Sequence, residues 1–117
     1  MTEARLPTGF WVGALVRRVQ LGGASAFILQ RGDTERGDVL VKVATLDGGA
    51  RAFVPSMDFE TGARVFVDLA MRGVGQTEAE IDDYIRRALE RDRDLWVIEI
   101  EDREGRHFLT EPVETDR

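Results

Sequence analysis

The sequence predicts an α+β fold: an antiparallel sheet of about six short strands with two amphipathic helices on one face. Most apolar residues fall in short runs that alternate with polar ones, as in strands, whereas two longer segments repeat with a helical period. The runs follow one another without a helix between them, which distinguishes this pattern from a doubly wound α/β protein. We therefore expect the element order α-β-β-β-β-α-β-β.

The first helical segment is Thr8–Leu21, in which apolar residues recur at helical spacing. Thr8 is a candidate N-cap, and the pair Gly22-Gly23 is a typical helix stop. The β-rich character of the chain favours a strand here instead. However, the adjacent Arg17 and Arg18 interrupt strand alternation, so we predict a helix.

Short apolar runs separated by Gly-rich or charged turns then predict four strands. They cover residues 24–30, 39–45, 51–54 and 64–69. Pro55 should end the third strand, because proline has no N–H to donate to a ladder. The connections are short, so neighbouring strands should pair antiparallel.

A capping box from Thr77 to Glu80 predicts the start of the second helix. Ile81, Ile85 and Ala88 then mark its apolar stripe. Its acidic residues lie near the N-terminus and its arginines near the C-terminus, where each complements the helix dipole.

Residues 94–109 read as a β-hairpin with a charged turn. Trp96, Ile98 and Ile100 share one face of its first strand and should form the floor of the core. We expect residues 1–7 and 111–117 to be mobile ends of a single domain that spans residues 1–117.

Composition limits the class of protein. The chain has 117 residues, no cysteine and a net charge of −6. No run is long enough for a signal peptide or a membrane span, so a cytoplasmic protein is expected. Residues 77–117 hold fourteen acidic and seven basic groups, against eight and nine in residues 1–76. Such an acidic chain disfavours nucleic acid as a partner.

Five segments give the chain a resemblance to the alphaproteobacterial family known as domain of unknown function 1491. They are Gly9-Phe10-Trp11-Val12, residues 14–18, Arg31-Gly32-Asp33, Val41-Lys42-Val43 and residues 94–102. The resemblance extends over nearly the whole chain. It implies a bacterial cytoplasmic protein and no assigned activity, cofactor or functional residue.

Four residues form the candidate ligand site: Asp68, Glu99, Glu101 and His107. Glu99 and Glu101 share a strand face, where carboxylates can hold a hard cation or act as an acid/base pair. His107 is the only histidine and a candidate general base. Alternatively, the glutamates line a solvated strand face and the histidine is structural.

Arg17, Arg18 and Arg31 form the candidate nucleic-acid contact, with Trp11 and Phe10 as stacking platforms. The competing interpretation places the arginines on the solvated side of a helix and turns Trp11 inward.

No nucleophile constellation and no cofactor motif is present, so we expect a non-catalytic module that binds a protein partner, with a homodimer as the leading case. Short strands with free edges and large apolar residues near loops favour this function. A small enzyme or metabolite- or metal-binding domain at Glu99 and Glu101 is the alternative, and RNA contact through Arg17 and Arg18 is a weaker one.

Overall fold

The computed structural model describes residues 6–115. The elements in chain order are α1 (Thr8–Leu21), β1 (Ser25–Gln30), β2 (Val39–Ala44), β3 (Ala50–Met57), β4 (Arg64–Asp68), a 3₁₀ helix (Leu69–Arg72), α2 (Glu78–Arg91), β5 (Trp96–Glu101) and β6 (Val113–Glu114). The α+β class and the predicted element order are confirmed.

The strands form one mixed sheet in the order β1-β5-β2-β3-β4-β6. β5 pairs antiparallel with β1 and parallel with β2. β3 pairs antiparallel with β2 and β4, and β6 adds to β4 in parallel. The sheet is therefore mostly antiparallel, with two parallel pairs where the chain returns after a long connection.

The predicted hairpin of residues 94–109 is wrong. Its first strand exists as β5, and Trp96, Ile98 and Ile100 are buried in the core as expected. However, β1 and β2 occupy both hydrogen-bonding edges of β5. No edge is left for the following residues, which turn at Gly105 and continue as irregular chain.

The two helices lie on opposite faces of the sheet, not on one face as predicted. Alternate residues of a strand point to opposite faces. Thus the side chains on the Ile98 face of β5 pack with Leu15 and Val19 of α1. Val97 points to the opposite face and packs with Ile81 and Ile85 of α2. The central strands are apolar on both faces, and each apolar face needs a helix to cover it.

Two local predictions fail for a physical reason. Thr8 is not the N-cap of α1: its hydroxyl donates to the Gly37 carbonyl, and Pro7 occupies the cap position. Pro55 does not end β3, which continues to Met57. Because the β2–β3 ladder stops at Phe53, Pro55 pairs only with β4 and needs no N–H on its other side.

The predicted mobile ends fall only partly within the described residues. Val113 and Glu114 form β6, so the C-terminal segment contributes to the sheet. Residues 1–5 and 116–117 lie outside the described part of the chain.

Ile98 and Ile28 stand directly opposite each other on β5 and β1, but only Ile98 is fully buried. We expect Ile98→Ala to lower the free energy of unfolding by about 2–5 kcal/mol, because it leaves a cavity between the sheet and α1. Ile28→Ala should cost about 1 kcal/mol or less. Urea denaturation of both variants measures the difference, and equal losses would contradict the assigned core.

Candidate functional site

Lys42, the only lysine in the chain, is buried at the centre of the sheet on the face that α2 covers. Its Nζ lies 2.9 Å from Glu78 Oε1 and 2.8 Å from Asp82 Oδ1, both on the first turns of α2. It also lies 3.0 Å from Glu99 Oε1 on the neighbouring strand β5. One cation thus joins two strands to the start of a helix.

This geometry explains the charge state of Lys42. Burial alone would lower the pKa of its ammonium group. The hydrogen bonds that it donates to Asp82, Glu78 and Glu99 outweigh burial and raise the pKa above its ordinary value. Lys42 is therefore a permanent cation and not a nucleophile or base, since either role needs the neutral amine.

Glu101 follows Glu99 on the same strand face. Burial and the adjacent Glu99 carboxylate raise the pKa of the Glu101 carboxyl group above its ordinary value. The Glu78 carboxylate acts in the same direction, and Lys42 opposes it. Three carboxylates thus bind one ammonium group, and Glu101 adds a further negative charge next to Glu99 on β5.

Asp68 and His107 lie on the opposite face. Asp68 is completely buried at the end of β4 and accepts hydrogen bonds from the Thr115 hydroxyl at 3.0 Å and the Ala70 amide at 2.9 Å. Arg51 Nε lies 3.2 Å from its Oδ2. The His107 ring meets the edge of Phe53, and its Nδ1 accepts from the Leu109 amide.

The protonation state of His107 follows from these surroundings. Burial first, and then the Arg51 guanidinium, lower the pKa of the imidazole, while Asp68 opposes them. The ring is therefore neutral at pH 7, and its Nδ1 acts as a backbone acceptor.

The sheet thus separates the candidate ligand site into two parts. Glu99 and Glu101 face α2, whereas Asp68 and His107 lie on the α1 side. The central sheet layer lies between them, so the four side chains do not converge on one ligand. Within residues 6–115, no group of three or more histidine or acidic side chains is arranged to hold a metal ion.

The candidate nucleic-acid residues are similarly dispersed. Arg17 is exposed on α1, Arg18 Nε donates to the Phe108 carbonyl, and the Arg31 guanidinium lies over the Trp96 ring. Trp11 is buried: it stacks on Phe66, and its indole N–H donates to Glu111. Trp11 is therefore not a stacking platform, whereas Phe10 is 72% exposed on α1.

Sequence reasoning missed the Lys42 cluster. The signal was a lone lysine inside the apolar run of residues 39–45, on the strand face opposite its flanking valines. Asp82 is spaced to pair with Arg86 on α2, but it binds Lys42, and Arg86 pairs with Asp83 and Glu90.

The most exposed apolar segment of the sheet is its edge strand β1. Phe27, Ile28 and Leu29 are 47%, 41% and 53% exposed. Ser25–Gln30 contains neither a charge nor a proline, the usual protections of a free edge. One irregularity in register, between Ile28 and Gln30, interrupts its ladder with β5. The opposite edge, β6, has only two residues and carries Glu114.

These features define a small α+β domain with two helices on opposite faces of a mixed sheet. The family described as protein of unknown function (DUF1491) matches residues 6–110. The chain belongs to this family, and the resemblance seen in the sequence is confirmed. No curated protein matches the chain.

Solved structures share the fold, among them the following three. The crystal structure of a DUF1491 family protein from Caulobacter crescentus is 47% identical with a TM-score of 0.84, covering 94% of this chain and 100% of that chain. An NMR structure of a DUF1491 family protein from the same organism is 45% identical with a TM-score of 0.82, covering 96% of this chain and 99% of that chain. The solution structure of protein Atu0922 from A. tumefaciens is 28% identical with a TM-score of 0.76, covering 97% and 100%.

Neither helix of the described chain is long and apolar enough to cross a membrane.

Lys42→Met tests the buried cluster. Removing the cation leaves Glu99, Glu78 and Asp82 close together without compensation, so the free energy of unfolding at pH 7 should fall by about 2–4 kcal/mol. Arg86→Met is the matched control, because its ion pairs lie on the exposed side of α2 and should be nearly dispensable. Equal stability of the Lys42 variant and the wild type would show that the cluster does not hold α2 to the sheet.

Glu101→Gln tests the raised pKa of Glu101. A carboxyl group whose pKa is higher in the folded state binds its proton more tightly there, so its ionisation at neutral pH costs stability. The variant should therefore be more stable than the wild type at pH 7. The difference should vanish near pH 4, where the wild-type carboxyl is largely protonated in both states. Urea denaturation from pH 4 to pH 8 measures this, and a variant less stable at pH 7 would contradict it.

Proposed function

We propose that this protein is a non-catalytic cytoplasmic interaction module whose partner is a second copy of the chain, bound through the free edge of β1. The observation that carries the proposal is the edge strand Ser25–Gln30, which has no charge and no proline and exposes three consecutive large apolar residues. Among the described residues, β1 pairs only with β5, so its outer backbone groups are available to another strand.

Charge favours a second copy at this edge. Each chain carries a net charge of −6, so two copies repel each other over most of their surfaces. Residues 19–30 contain no charged side chain. Two antiparallel β1 strands related by a two-fold axis would therefore meet without opposed like charges.

Both faces of β1 contribute to this contact. Ile28 lies on the α1 face, opposite Ile98, whereas Phe27 lies on the α2 face, opposite Glu99. Pairing would cover exposed apolar side chains above and below the joined sheet. The edge is short, so the interface should be at the small end of specific complexes and the dimer should depend on concentration.

The alternatives receive less support from the geometry. A ligand site at Glu99 and Glu101 would compete with Lys42, which already binds Glu99. RNA contact through Arg17 and Arg18 would have to rely on Phe10 for stacking, because Trp11 is buried, and the net charge of −6 opposes an RNA backbone.

Phe27→Lys tests the interface. Two lysines brought close to the two-fold axis repel each other and remove apolar contact, so the variant should stay monomeric. The wild type should shift from one to two chain masses as its concentration rises from micromolar to millimolar, measured by sedimentation velocity and light scattering.

Phe59→Lys is the matched control, because Phe59 is fully exposed in the turn between β3 and β4, away from β1. It should dimerise like the wild type. A wild-type mass of one chain at every concentration would overturn the proposal, as would a Phe27 variant that dimerises normally.

A further inference from the structure

The two strands β2 and β3 separate before either of them ends. At one end of their ladder Ala44 pairs with Ala50, and at the other end Val41 pairs with Phe53, where the pairing stops. Beyond this point Val39 and Leu40 pair only with β5, while Val54 and Pro55 pair only with β4. Because Pro55 has no N–H, the chain cannot close this gap with a further hydrogen bond from that residue.

A cleft of about 270 Å³ opens at this separation, under the C-terminal half of α2. Its apolar lining comes from both strands, from α2 and from the segment that leads into β5. These residues are Val39, Leu40, Val54, Pro55, Ala88 and Leu95. The size suits a compact organic molecule with a single ring or a short chain.

The polar lining consists of Tyr84, two arginines and two aspartates. Arg72 comes from the 3₁₀ helix and Arg91 from the last turn of α2, so the two approach the cleft from different elements. Within the described residues, neither guanidinium forms an ion pair, unlike Arg51, Arg86 and Arg106.

The charges of the lining favour a ligand with one negative charge over a ligand with two. Asp38 and Asp92 also line the cleft and balance the two arginines. One Asp92 oxygen accepts a hydrogen bond from the Asp94 amide at 3.0 Å, which holds this carboxylate at the helix end. Both aspartates repel any anion, but they repel a doubly charged phosphate more strongly than a monocarboxylate, which also matches a guanidinium in planar geometry.

We propose that this cleft is a binding site for a small apolar monocarboxylate, with the carboxylate held by Arg72 and Arg91 and the apolar body between the separated strands. Tyr84 lies beside the same opening and supplies a ring face or a hydroxyl donor. The site is independent of the proposed dimer, because β5 and β2 lie between β1 and the cleft.

The test uses hydrocinnamate as the probe and follows the backbone amides of the full chain by two-dimensional NMR. We expect dose-dependent shifts at Leu40, Val54, Ala88 and Leu95. The uncharged analogue hydrocinnamide should bind at least about tenfold more weakly, because it lacks the charge that the guanidinium groups recognise.

Arg72→Gln and Arg91→Gln should each weaken hydrocinnamate binding about tenfold or more. Both side chains are exposed, so the variants should keep the wild-type fold, which their unshifted core amides would show. Arg93→Gln is the matched control: Arg93 is exposed just beyond α2 but does not line the cleft. It should bind like the wild type.

The proposal would be overturned if millimolar hydrocinnamate did not shift the amides of the cleft. It would also be overturned if hydrocinnamate and hydrocinnamide bound with equal affinity, or if Arg72→Gln and Arg91→Gln both left hydrocinnamate affinity unchanged. Tighter binding of phenyl phosphate than of hydrocinnamate would also refute the assignment to monocarboxylates.

Discussion

The rest of the fold depends on one constraint: the parallel strands β2 and β5 are buried on both faces of the sheet. Both strands carry apolar side chains on both faces, so neither face can be left to solvent. α1 covers one face and α2 the other. Parallel pairing also requires a long connection, and here it contains β3, β4 and α2. Placing β5 between β1 and β2 then leaves β1 as an outer strand.

The two faces of the sheet differ in chemistry. Under α1 the core is filled with large residues such as Trp96, Phe66 and Leu15. Under α2 it includes Ala50, Ala52 and Ala88, and it contains the buried Lys42 with its three acidic partners. A buried cation adds little net stability compared with an apolar residue, but it is costly to leave unpaired. The cluster therefore fixes where the start of α2 docks on the sheet.

The surface features follow from the same architecture. One sheet edge, β6, is short and carries an acidic residue, whereas β1 is longer, apolar and uncharged. The cleft opens where α2 spans the separation of β2 and β3, at the opposite end of α2 from Lys42. The α2 face thus holds a closed ion cluster at one end of the helix and an open cleft at the other. The proposed contact with a second copy lies apart from both.

The sequence by itself determined the α+β class, the element order, the N-cap Thr77, and the row of Trp96, Ile98 and Ile100, because these depend on local periodicity and caps. Only the tertiary structure decided that the helices lie on opposite faces and that β5 has no hairpin partner. Strand order and the face that a helix covers depend on contacts between distant residues, which no local pattern encodes. For the same reason the structure alone joined Lys42 to α2 and separated Glu99 and Glu101 from Asp68 and His107.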